Sequence, residues 1–198
     1  MTGGTVPLAR RLLWTALVAV LLAVASAALV QRLRRSPPPP VLGRVPPFAL
    51  TNRDGRTVAL ADLAGRPWIA DFVFTRCAAS CPMMTARMAR LGSEARRVSF
   101  SVDPAHDTPA VLQAYAASYD APADWLFLTG EEKALHRLAR QGFKLAVDPA
   151  PPVGGEPILH STRFVLVDAR GDIRGYYDAF DEESMAKLDR DLRALEPS

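Results

Sequence analysis

Residues 12–30, LLWTALVAVLLAVASAALV, run for nineteen positions without a charge. As one helix the run would be about 28 Å long, enough to cross the hydrocarbon core of a bilayer. It splits the 198-residue chain into an appendage and a stretch of chain sized for one domain. Residues 1–11 form a short N-terminal tail. Arg10 and Arg11 precede the run and Arg32, Arg34 and Arg35 follow it, so the positive-inside rule gives no firm orientation. Two readings stay open: an uncleaved transmembrane anchor, or a signal peptide cut after Ala25-Ser26-Ala27. The anchor is favoured, because the apolar run exceeds an ordinary signal core and continues through that triplet. Residues 31–47 read as a linker, within which SPPPPVLGRVPP, 36–47, should be an extended, semi-rigid spacer. A globular domain is expected over 48–198.

The formal charge of +3 misleads about that domain. Six arginines and no acids lie in residues 1–47, leaving 18 basic and 21 acidic residues beyond, about −3. No basic stripe with interleaved aromatics is present, so nucleic acid is a poor partner. A domain of this size can bury a real core without disulfide staples. The chain's two cysteines, Cys77 and Cys81, therefore need a reason beyond stability.

FALTNRDGRTVAL, 48–60, reads as a hairpin turning at Asn52 to Gly55, and WIADFVFT, 68–75, as a buried strand leading straight into the cysteines. Pro82 suits a first helical turn, with a helical pattern continuing through MMTARMARLGSEA. VSFSVD, 98–103, is a second strand; Thr108 caps a helix with Pro109 at its first position; WLFLT is a third strand. Thr129 and Glu132 look like a capping box opening a helix to about Gln141. FKLAVD follows, then a proline- and glycine-rich loop, 149–159. A hairpin over 163–177 and an amphipathic helix from Asp181 complete the chain. Strand–helix alternation followed by a terminal hairpin and helix predicts an α/β sandwich with a thioredoxin-like layout.

With both cysteines in a first helical turn, their Cα atoms would lie roughly 6 Å apart, near the upper end of the disulfide range. The offset also permits a shared metal ion. The helix N-terminus and Arg76 should favour thiolate. Two thiolates leave a metal site incomplete, and three histidines are available. His136, among Arg137 and Arg140, reads as a solvated surface residue; His106 lies in a loop; His160 stands where the 149–159 loop enters a strand. Asp71, inside an apolar run, and Asp103, at a strand end, are candidates for groups supporting the site from behind. For Asp71 the plainer reading is a strand-end acid bonded to backbone or an arginine, and for Asp103 a loop cap. Met84 and Met88 read as helix packing, and Met83 stays open as a thioether.

The segments DFVFTRCAASCP (71–82), SVDPAHDTP (101–109), LTG (128–130) and HSTRFVLVDARGDIRGYY (160–177), colinear over about 48–178, resemble the SCO/SenC family of copper chaperones for cytochrome oxidase. The resemblance implies a thioredoxin-like domain behind an N-terminal anchor, and copper held by Cys77, Cys81 and His160. It further implies the copper-acceptor subunit of cytochrome c oxidase as partner, with the domain on the periplasmic side of the cell membrane. The sequence departs from the family at several places. Ala78, Ala79 and Ser80 replace the proline and acid common between the cysteines; His106 stands where arginine is usual; Leu159 stands where an aspartate often precedes the histidine. None of these removes a ligand. Soft thiolates select Cu(I), and an added imidazole suits Cu(II) as well.

A thiol–disulfide oxidoreductase is the competing function: Cys77 would attack, Cys81 would resolve, and no histidine is needed. A thiol peroxidase is a weaker alternative, and whether the chain is an enzyme at all stays open. A purely structural disulfide is disfavoured, because so short a closed segment removes little unfolded-state entropy.

Overall fold

The computed structural model describes residues 8–33, 37–78, 80–92, 96–145, 148–149 and 159–195; side chains at 8–9, 11, 27–33, 148–149 and 159–160 lie outside the description. The chain forms two units, residues 1–37 and 38–198.

Among the described residues the first unit contains one helix, α1, Leu8–Leu33. Among the described residues no helix is long and apolar enough to cross a membrane. The transmembrane expectation for 12–30 is thus not supported, and its last four side chains lie outside the described residues.

In the second unit an eight-stranded sheet carries the fold. Its strands are β1 (Gly43–Arg44), β2 (Ala49–Asn52), β3 (Thr57–Ala59), β4 (Trp68–Val73), β5 (Arg96–Ser101), β6 (Leu126–Thr129), β9 (Arg163–Val167) and β10 (Asp172–Asp178). A separate pair, β7 (Asp148–Pro149) and β8 (Leu159–His160), lies between β6 and β9 in the chain. The order across the sheet is β1-β10-β9-β4-β5-β6-β2-β3. β4, β5 and β6 run parallel, while β9 pairs antiparallel with β4 and β10 with β9. Helices α2 (Ser80–Ala89), α3 (Pro109–Ala117), α4 (Glu132–Arg137) and α5 (Glu182–Leu195) complete the domain. The β4–α2–β5 unit followed by β9–β10–α5, with β5-β4-β9-β10 adjacent, is the thioredoxin-like arrangement expected from the sequence.

All six residues of β4 are buried, as a strand covered on both faces requires. Alternation divides its side chains between two cores. Trp68, Ala70 and Phe72 join Phe100, Leu135, Leu138 and Phe143 on one face. Ile69 joins Met84, Met88, Leu112, Trp125, Leu188 and Leu192 on the other. Helices α2, α3 and α5 therefore cover one face and α4 the opposite one. Phe72 stacks on Phe100 at 5.1 Å and meets Phe143 edge-on at 5.1 Å; such pairs contribute about 0.5–1.5 kcal/mol each beyond area burial.

The local expectations fare unevenly. The 48–60 hairpin turns at Gly55, whose φ of 82° suits glycine, and Gly55 N–H donates to Asn52 O at 2.8 Å. Thr108 caps α3 with Pro109 in its first turn. The capping box at Thr129 does not form: Thr129 stays in β6 opposite Thr51, and Glu131 takes the cap position without a side-chain bond. The helix expected to reach Gln141 stops at Arg137 and widens into a π turn over Leu138–Gly142. Gly142 abuts Pro46 there, and a Cβ would leave no room for that ring.

Candidate metal and thiol site

The cysteines lie beyond the C-terminal end of β4, the end of a parallel sheet where α/β folds gather function. Cys77 is not in the helix: its N–H donates to Phe74 O at 3.2 Å in a turn, and α2 begins at Ser80. Cys81 alone occupies the first helical turn. Neither is in a disulfide; Cys77 is half-buried and Cys81 buried. The Cys81 N–H points at Cys77 Sγ, 3.4 Å away, and Ser80 Oγ lies 3.9 Å from the same sulfur. The helix start thus aims a backbone donor at the outer sulfur.

The expectation that Arg76 and the helix N-terminus favour thiolate is corrected for the inner cysteine. Burial pushes the Cys81 thiol far up; a hydrogen bond from the Phe74 backbone opposes this, and the neighbouring Cys77 and Asp71 add to the rise. The Arg76 guanidinium is engaged elsewhere, with Nη2 2.6 Å and Nε 3.0 Å from Asp103 Oδ2. This ion pair sets Asp103 beside the cysteine loop, where its N–H also donates to Ser101 Oγ at 3.1 Å.

Asp71 is fully buried, and among the described residues neither carboxylate oxygen has a hydrogen-bond partner, so the expected bond to backbone or an arginine is not found there. Burial raises its pKa to about 7. Ser99, its register partner on β5, pulls in the other direction, while that hydroxyl oxygen also accepts from Trp125 Nε1 at 3.0 Å.

A residue not singled out in the sequence holds the loop. Asp107 is fully buried. It accepts from Thr75 Oγ1 at 2.6 Å, from Thr75 N–H at 3.3 Å and from Ser101 Oγ at 2.7 Å. Its position in SVDPAHDTP was visible, as was Ser101 at the head of that motif, but Thr75 lies 32 residues away. The neighbouring His106 is exposed, and His136 is half-buried rather than solvated, with Nε2 3.4 Å from Val102 O. Met84 and Met88 are fully buried in the core and Met83 is 55% exposed.

His160 is described only through its backbone. It sits in β8 opposite Asp148, and the backbone of β8 comes within 8 Å of β4. Its imidazole, residues 150–158 of the preceding loop and Ala79 lie outside the described residues. Among the described residues no group of three or more metal-binding side chains forms. The donor set that is described, two thiols beside one helix start, fits a soft metal ion and equally a dithiol–disulfide couple.

Comparison with known proteins accords with this geometry. The pattern defining the SCO1/SenC family matches residues 41–195. The SCO1 protein homolog of Bacillus subtilis is 35% identical over 164 residues, covering 78% of this chain and 84% of the relative. The solved structure of BsSco, described as having a disulfide switch and as a member of the Sco family of cytochrome c oxidase assembly proteins, superposes with a TM-score of 0.67. It is 32% identical, covering 82% of this chain and 100% of that one. Yeast Sco1 solved with copper bound gives a TM-score of 0.61 at 25% identity, covering 80% and 92% of the two chains. The chain belongs to the SCO1/SenC family.

Proposed function

We propose that the chain is a copper metallochaperone that delivers copper to the binuclear copper centre of cytochrome c oxidase during its assembly. The observation that carries this reading is the thiol pair beyond β4, with Cys77 Sγ 3.4 Å from the Cys81 amide, in a chain of this family. Copper is the cargo. Cys77 and Cys81 supply thiolates, and His160 the imidazole that lets the site tolerate both oxidation states. The yeast relative solved with copper bound supports the choice of metal. Release then proceeds by ligand exchange with a docked acceptor. The uncharged run 12–30 tethers the domain to the membrane through the 31–47 linker, with the domain on the periplasmic side. Adding Cu(II) to the reduced protein tests the reading. A sulfur-to-copper charge-transfer band at one copper per chain is expected, and its absence would remove the function.

A thiol–disulfide exchange role is the second reading, favoured by the difference between the two thiols. Cys77 is the more exposed and has a backbone donor aimed at its sulfur, whereas burial holds Cys81 protonated. Cys77 thiolate attacks a partner disulfide, forming a mixed disulfide and releasing one partner thiolate. Cys81 then gives up its proton and displaces the second partner sulfur, leaving the chain oxidised and the partner reduced. Cellular function that survives His160→Ala but not Cys77→Ala would select this reading.

A further inference from the structure

The rim of the thiol site continues onto α4 as a cationic patch. From Cys77 the chain of contacts runs through Arg76 to Asp103, and from the adjoining Val102 carbonyl to the His136 ring. His136 lines a shallow depression of about 310 Å³ with Lys133, Arg137, Arg140 and Gln141, four basic side chains and no acid. Lys133, Arg137 and Arg140 are exposed. Among the described residues none of the three forms an ion pair.

The helix dipole accounts for only part of this patch. Cations in a last turn complement the dipole, which suits His136 and Arg137. Lys133 is the second residue of α4, where a cation opposes the dipole, and Arg140 lies beyond the helix in the π turn. The domain as a whole carries about −3, so the concentration is local. Nor do the neighbouring acids neutralise it: Asp103 is taken by Arg76 and Asp107 by its three donors, leaving Glu131 and Glu132 at the helix start.

We infer that Lys133, His136, Arg137 and Arg140 form the docking surface for an acidic protein face, that of the copper-acceptor domain, and orient it over Cys77. The inference rests on the metallochaperone reading for the identity of the partner. Charge complementarity of this kind raises the association rate and fixes register more than it adds affinity once docked. The patch lies beside the thiols without containing them, so docking and copper binding are separable by mutation.

The test measures binding, not copper transfer. The full chain, reduced, metal-free and in nonionic detergent, is titrated with the soluble copper-acceptor domain of the oxidase from the same source. The Kd is expected to rise about tenfold between about 20 and about 200 mM salt. The double variant Arg137→Glu, Arg140→Glu should weaken low-salt binding by about tenfold or more, and Lys133→Glu by about threefold. Arg190→Glu makes the same charge change as Lys133→Glu, but on α5, over the opposite face of the sheet, and should bind like the parent. All four proteins should give the same copper charge-transfer band. Salt-independent binding, equal weakening by Arg190→Glu, or no complex at all would overturn the docking surface. None of these would touch the copper band, which alone decides the metallochaperone reading.

Discussion

Thr75 donates its hydroxyl to the Asp107 carboxylate at 2.6 Å across 32 residues of sequence, fastening the start of the cysteine loop to the loop between β5 and α3. Ser101 holds the second oxygen of that carboxylate at 2.7 Å, so one buried charge binds the chain two residues before Cys77 to the end of β5. Asp107→Ala strands the Thr75 and Ser101 hydroxyls and should cost about 2–4 kcal/mol. Asp107→Asn keeps one acceptor and should lose less. Denaturant unfolding of both variants gives the stabilities. The thiol pair's reduction potential should shift in the same order, because loop geometry sets the sulfur positions; unchanged potentials would confine Asp107 to a folding role.

Asp71 predicts a pH dependence with a definite sign. Its pKa of about 7 lies above the ordinary carboxylate value, so between the two the folded state binds the proton and the unfolded state does not. Stability therefore falls as pH rises through that window. The contribution is about 2 kcal/mol between about pH 5 and pH 7, as an upper figure for a fully buried group. Asp71→Asn should flatten this part of the profile and stabilise the domain at neutral pH, as thermal melts across pH would show. Identical slopes in parent and variant would exclude the effect.

The methionines separate packing from coordination. Met84 and Met88 are fully buried, and truncating either to alanine should cost about 2–5 kcal/mol through the cavity left behind. Neither change should alter the copper charge-transfer band. Met83, exposed on the first turn of α2, should cost less than about 0.5 kcal/mol on truncation. Stability and spectrum measured on the same samples check all three.

These contrasts show what could be read from sequence. Strand β4 was legible because its burial on both faces writes an unbroken apolar run, and the Thr108–Pro109 start of α3 because the cap is local. The Thr129–Glu132 box has the same residue types as a true cap, yet pairing of β6 with Thr51 holds Thr129 in the sheet. The π turn over 138–142 was not legible in the local pattern, and Gly142 within it abuts Pro46, a distant residue in the sequence. At the site, Cys77 and Cys81 and the Asp71 anomaly could be read one residue at a time. Asp107 could not, since its significance lies in the bond from Thr75, 32 residues away, which only the folded sheet brings to it.

The central claim is that His160 joins Cys77 and Cys81 on one copper ion. X-ray absorption at the copper edge of the loaded protein tests it most directly. The account predicts two sulfur neighbours and at least one imidazole nitrogen in the parent, with the imidazole signature lost in His160→Ala. A copper environment unchanged by that substitution would contradict it.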